Sequence, residues 1–186
     1  MRKLFFFLIT LFLISATSVS ASEKIADASA APQAIDQKVC KIDTKPTSYS
    51  TKYKVIKKYL ELRGSPLAAS TSDFIASCQR YSLDCYLLPA ISGLESSYGT
   101  ALLAGSYNPF GWGGGYLYFK DWKDAIDTVG RGLRENYIGQ GSIASLEAIG
   151  AKYAASPTWA SRVGGNMSEL QKLEDELNLQ DSAIEL

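Results

Sequence analysis

The hydrophobic pattern changes period several times along the chain, and each change marks an element. Leu4 to Ile14 is one apolar run broken only by Thr10. From residue 22 to about residue 50, Ala, Ser, Thr, Lys and Pro dominate without a sustained period, which predicts a flexible linker with at most a short helix near Pro32 to Lys38. At Thr51 a three-and-four spacing sets in. Tyr53, Ile56, Tyr59 and Leu60 share one helical face, and Gly64 followed by Pro66 ends it. A second helix is expected from Thr71 or Ser72, with Phe74, Ile75, Cys78 and Tyr81 facing inward, and a third from Asp84 to Ser97. Glycines and aromatics then fill Gly99 to Phe119, a loop or a very short hairpin. Helical spacing returns at Asp121, with Trp122, Ala125, Ile126, Val129, Leu133 and Tyr137 as its core stripe. Ser142 to Ala154 gives another helix with Ile143, Leu146, Ile149 and Tyr153 on one face, and Gly150 there allows a neighbour to come close. A last helix is expected from Thr158 to Leu177. The pattern predicts one mainly α domain over residues 51–177, with a tail over 178–186.

The apolar run at the start belongs to a different category. Arg2 and Lys3 precede it, and Val19-Ser20-Ala21 has the small-x-small form of a signal-peptidase site. The run is shorter than the roughly 20 residues that a spanning helix needs. Residues 1–21 are therefore read as a cleaved signal peptide, which predicts a secreted or cell-envelope protein with no membrane contact beyond that segment. Without Arg2 and Lys3, 17 basic side chains face 19 acidic ones. Such a balance gives no electrostatic footprint for nucleic acid, and no basic tract is present. The length suits one domain, expected to act as a monomer.

Cysteine and histidine usage narrows the chemistry. The three cysteines are Cys40, Cys78 and Cys85. Cys78 and Cys85 flank a helix-to-helix turn and are a candidate disulfide in an oxidising compartment, with the other pairings open. There is no histidine anywhere in the chain. Triads of the Ser-His-Asp and Cys-His kinds are thereby excluded, as is a histidine-ligated zinc site. No metal and no cofactor is expected. What remains for catalysis is carboxylate chemistry.

The third helix carries the sharpest candidate. Leu88, Ile91 and Glu95 are spaced by three and four, so a carboxylate extends an apolar face. Partial burial there would favour the protonated form, the state that donates to a glycosidic oxygen. Downstream, Ser106-Tyr-Asn-Pro-Phe-Gly-Trp-Gly-Gly-Gly-Tyr116 alternates aromatics with glycines. Aromatic faces stack on sugar rings, and Asn108 offers donors and acceptors to an N-acetyl group or to the loop backbone.

Taken in order, four motifs resemble the glucosaminidase group of glycoside hydrolases (family 73, mannosyl-glycoprotein endo-β-N-acetylglucosaminidase-like). They are Glu95-Ser-Ser-Tyr-Gly99, Tyr107-Asn-Pro-Phe-Gly-Trp112, Phe119 with Trp122 and Ala125-Ile126, and Tyr153-Ala with Trp159 and Val163. The resemblance covers roughly Gly64 to Met167. It implies a lysozyme-like α-helical domain with a minimal or absent β-lobe, acting on the glycan strands of peptidoglycan. It also implies Glu95 as catalytic acid, Asn108, Phe110 and Gly111 as a groove-edge motif, and Tyr153 as the tyrosine facing that acid. Tyr107, Trp112 and Trp159 are added as groove aromatics on their chemistry alone.

One departure from the family pattern bears on mechanism. No acidic residue lies between Glu95 and Asp121, where a second carboxylate often stands. Asp121 reads as a helix N-cap, and Asp124 and Asp127 as a solvated face. A two-carboxylate scheme is thus unsupported. The substrate's own 2-acetamido oxygen is one alternative nucleophile, and the 6-hydroxyl of N-acetylmuramic acid, giving an anhydro product as in lytic transglycosylases, is another. Muramidase action on the same polymer, and a secreted glycan-binding or surface protein without catalysis, complete the set.

Overall fold

A computed structural model of the chain describes residues 49–138 and 145–184, with the Ile184 side chain left out. The expected signal peptide, nearly all of the linker, Cys40 and Ile143 lie outside the described residues. Among those described there are six α-helices and no strand, so the mainly α class is found. The stretch where a β-lobe would stand is a loop with one short 3-10 turn, Trp112–Gly115. No described helix is long and apolar enough to cross a membrane.

Helix α1, Tyr49–Glu61, buries Val55, Ile56, Tyr59 and Leu60. Its buried stripe centres on Ile56 and Tyr59, which leaves Tyr53 at the edge and 37% exposed, against the inward position its spacing predicts. After a short 3-10 turn, Pro66–Ser70, helix α2 spans Thr71–Tyr81. It buries Phe74 and Cys78, while Ile75 and Tyr81 are half-buried. A disulfide joins Cys78 to Cys85 across the turn that follows. Asp84 is part of that turn and not of the next helix, because its Oδ1 accepts the backbone N–H of Tyr86 at 2.8 Å.

Helix α3, Leu87–Ser96, is the central rod. Leu87 to Ser92 are all buried, as expected of a helix covered on every side. Pro89 sits in its first turn, where the missing N–H leaves no helical bond unmade. Helix α4, Trp122–Gly132, starts at the expected cap, with Asp121 Oδ1 accepting the N–H of Asp124 at 2.8 Å. It packs on α2 so closely that a Cβ on Gly130 would lie 2.1 Å from Ser77 Oγ. Asp127 is not simply a solvated face residue. It binds Arg80 at 2.6 Å and the Tyr81 hydroxyl at 3.0 Å.

The chain leaves α4 through a wider, π-helical turn over Leu133–Ile138. Helix α5, Leu146–Tyr153, is capped by Ser145, whose Oγ accepts Ala148 N–H; residues 142–144 of the predicted start lie outside the described residues. Helix α6, Trp159–Ile184, runs through most of the stretch read as a tail. No glycine or proline stands between Ser168 and Ile184 to stop it. The helix docks on α1, α3 and α5. Leu170 and Glu174 are buried, with Glu174 Oε2 held by Lys52 Nζ at 2.8 Å and the Tyr86 hydroxyl at 3.0 Å.

Candidate functional site

Glu95 stands at the C-terminal end of α3, and the chain turns sharply beyond it. Ser97, Tyr98 and Gly99 all have positive φ, at 47°, 60° and 82°. For a bulky side chain such as Tyr98 that conformation costs on the order of 1–3 kcal/mol and persists only when its surroundings enforce it. They do. Tyr98 folds back over Gly93, where a Cβ would lie 2.5 Å from its ring, and its hydroxyl bonds that of Tyr59 at 2.9 Å. Tyr59 in turn donates to Glu169 on α6 at 2.9 Å, beside Arg63.

The same turn is tied to the aromatic-glycine loop. Ser96 Oγ donates to Pro109 O at 2.8 Å and accepts Gly99 N–H at 2.9 Å. Asn108, 3% exposed, spends its side chain on the loop. Its Nδ2 donates to Trp112 O at 2.9 Å and Leu117 O at 3.2 Å, and its Oδ1 accepts Trp112 N–H at 2.9 Å. Of the two uses open to Asn108, the loop backbone is therefore the one realised, and its expected contact with substrate is corrected. Phe110 is corrected likewise. Its ring is fully buried in the core, and only its carbonyl faces the site.

Gly111 brings the loop against the carboxylate. It has φ +60°, and a Cβ there would lie 3.1 Å from Glu95 Oε2. Two constraints thus meet at one glycine: a left-handed backbone, and a contact at which a methyl would need the carboxylate to give by a few tenths of an ångström.

A cleft of about 410 Å³ opens beside Gly111, lined by Gly111, Trp112, Gly113, Gly114, Tyr137 and Tyr153. Three aromatics wall it. Trp112, Tyr137 and Tyr153 lie with ring centres 5.8 to 5.9 Å apart. Trp112 is held by Gly132, whose Cβ would meet its ring at 2.6 Å. Gly111, Trp112 and Tyr153 therefore come together around one opening. Tyr107 does not join them. It is 37% exposed and makes an edge-to-face contact with Trp122 at 4.9 Å.

Trp159 has the opposite fate to a groove aromatic. It is 2% exposed, stacks on Tyr153 at 4.9 Å, and sits on Gly150, where a Cβ would lie 2.9 Å from it. Its Nε1 donates to Glu95 Oε1 at 2.8 Å. Tyr153 reaches the carboxylate only through this indole, because its own hydroxyl donates to Phe110 O at 2.6 Å. Burial, and next the nearby Glu95 charge, hold the Tyr153 hydroxyl well above the usual phenol range, so it stays a donor.

Glu95 itself is exposed, and the half-buried carboxyl that its helical face predicts is not found. The face ends one turn early because the left-handed turn after Ser96 carries the chain away instead of over the side chain. None of the residues lining the cleft carries a carboxylate. Among the described residues no cluster of three or more His, Cys, Asp or Glu is placed to hold a metal ion.

Tyr137 is the wall residue whose second role the spacing does not reveal. It packs against the core, as the α4 stripe predicts, and within the π-helical turn it also lines the cleft. Such turns recur at functional sites, yet leave no sequence signature here. Compared with known families and curated proteins, the chain matches no family model and no curated sequence.

Proposed function

We propose that the protein is an exported peptidoglycan hydrolase that cuts β-1,4 glycosidic bonds of the glycan strand, with Glu95 as general acid. One observation carries the reading: an exposed carboxylate, fixed by a buried indole, borders an aromatic cleft at a strained turn. Strained non-glycine backbone tends to gather at functional sites, where the surrounding structure maintains it. Trp112, Tyr137 and Tyr153 offer the faces on which a sugar ring packs, and the glycine peptides offer polar edges between them.

In the reaction, Glu95 gives its proton to the glycosidic oxygen. The pair of electrons in the broken C–O bond goes to that oxygen, and the leaving sugar departs as an alcohol. Since no carboxylate lines the cleft, the electron pair replacing it at the anomeric carbon comes from the substrate's 2-acetamido oxygen. Water then attacks that carbon and gives a proton to Glu95, while the bond to the acetamido oxygen breaks and its electron pair returns to that oxygen. This scheme needs one carboxylate and matches cleavage after N-acetylglucosamine.

The test is a mass-spectrometric digest of purified peptidoglycan by residues 22–186 beside Glu95→Gln. The expected products carry reducing-end N-acetylglucosamine and are absent with the variant. Reducing-end or anhydro muramic acid in place of them moves the enzyme to the muramidase or lytic transglycosylase class. If nothing is released while both proteins pellet with the wall, the chain is a glycan-binding module.

A further inference from the structure

We infer that Trp159 is the positioning residue of Glu95, fixing Oε1 so that Oε2 is the oxygen that carries and delivers the proton. The inference rests on the hydrolase reading above and assigns a role within it. An indole Nε1–H is only a donor. The Glu95 oxygen it meets at 2.8 Å must accept, and the carbonyl oxygen of a carboxylic acid accepts better than its hydroxyl oxygen, so the acid proton is favoured on the other one. That other oxygen, Oε2, is the one against which Gly111 presents no side chain. The two neighbours of the carboxylate thus divide its atoms: one oxygen anchored, the other left uncovered beside the cleft.

The anchor is itself fixed. Trp159 is buried, its ring lies between the Tyr153 face and the bare Cα of Gly150, and Tyr153 is tethered to Phe110 O at 2.6 Å. Phe110 directly precedes Gly111, so the tether returns to the loop that borders Oε2. Glu95, exposed and at a helix end, has few other means of holding a rotamer. Loss of the N–H would leave substrate binding in the cleft intact and blur the direction of proton delivery, and small misplacements of a catalytic group cost up to about a hundredfold.

Two measurements on the folded protein decide the matter. In ¹³C,¹⁵N-labelled wild type, the Trp159 indole N–H resonance is assigned by sequential triple-resonance spectra. Glu95→Ala, a change at an exposed residue, is expected to move that resonance upfield while those of Trp112 and Trp122 stay. An unmoved Trp159 signal overturns the inference even if Trp159→Phe fails to fold. In the peptidoglycan digest, Trp159→Phe keeps the stacked ring and loses the donor. Its kcat is expected to fall about tenfold to a hundredfold at an unchanged KM. A kcat equal to that of active wild type overturns the positioning role alone. Wild type that releases nothing removes the hydrolase reading, and this role with it.

Discussion

At the scale of single residues, position 111 separates backbone strain from site chemistry. Gly64 and Gly111 have nearly the same φ, +59° and +60°, but a Cβ on Gly64 meets nothing within 4 Å while one on Gly111 meets Glu95 Oε2. Alanine at either position therefore carries a similar left-handed penalty of about 1–2 kcal/mol. Gly64→Ala is expected to lower the urea midpoint and keep glycan release, whereas Gly111→Ala lowers the midpoint similarly and reduces release at least about tenfold. Equal release by the two variants would show that the approach to Oε2 is of no consequence. At this scale the sequence is a good guide to which residues gather and a poor one to what their atoms do. Glu95, Gly111 and Tyr153 are singled out by spacing and motif, and Trp112 by its chemistry. The roles of Asn108, Phe110 and Trp159 are not, because whether an amide or an indole faces solvent or backbone is decided by chain reversals that no periodicity records.

At the scale of elements, α3 is positioned by the turn before it. The disulfide closes a loop of seven residues' separation between α2 and α3. On the chain-entropy relation a loop that short stabilises the fold by about 2.5 kcal/mol. Reduction with dithiothreitol is expected to lower the denaturation midpoint accordingly, and a Cys78→Ser, Cys85→Ser double variant should show no further loss on reduction. An unchanged midpoint for wild type would mean that packing of Phe74, Cys78 and Tyr86 already fixes the turn. Helix starts at Asp121 and stops at Gly64 are readable, since caps and breakers are local chemistry. The π-helical turn that carries Tyr137 contacts both α4 and α5, and a local reading passes over it.

At the scale of the whole molecule, three tyrosines bind distant parts of the chain together. Burial first, and then the neighbouring hydroxyl or carboxylate groups, push the hydroxyls of Tyr59, Tyr86 and Tyr153 well above the ordinary phenol range. The unfolded chain releases these protons near pH 10, while the folded chain keeps them. Above that pH the unfolded state binds fewer protons, so stability falls as pH rises; below it their contribution is fully present. Urea denaturation between pH 8 and 11 (a range set by that value) is expected to show this decline, shallower in Tyr86→Phe. Parallel slopes for the two proteins would mean that Tyr86 is no such group. Helical class emerges from the hydrophobic pattern, but these cross-links join residues far apart in sequence and only the folded chain displays them.

The placement of α6 has a thermodynamic corollary. Its first residue supplies the indole on Glu95, and its later turns carry Glu169 and Glu174, which grip Tyr59, Lys52 and Tyr86. Any occupant of the cleft that requires the carboxylate in its held rotamer favours molecules with this helix docked. By linkage, such an occupant resists peeling of the C-terminal helix in proportion to its own affinity. The molecule therefore couples an occupant's grip at the first turn of a 26-residue helix to the fastening of that helix's middle turns.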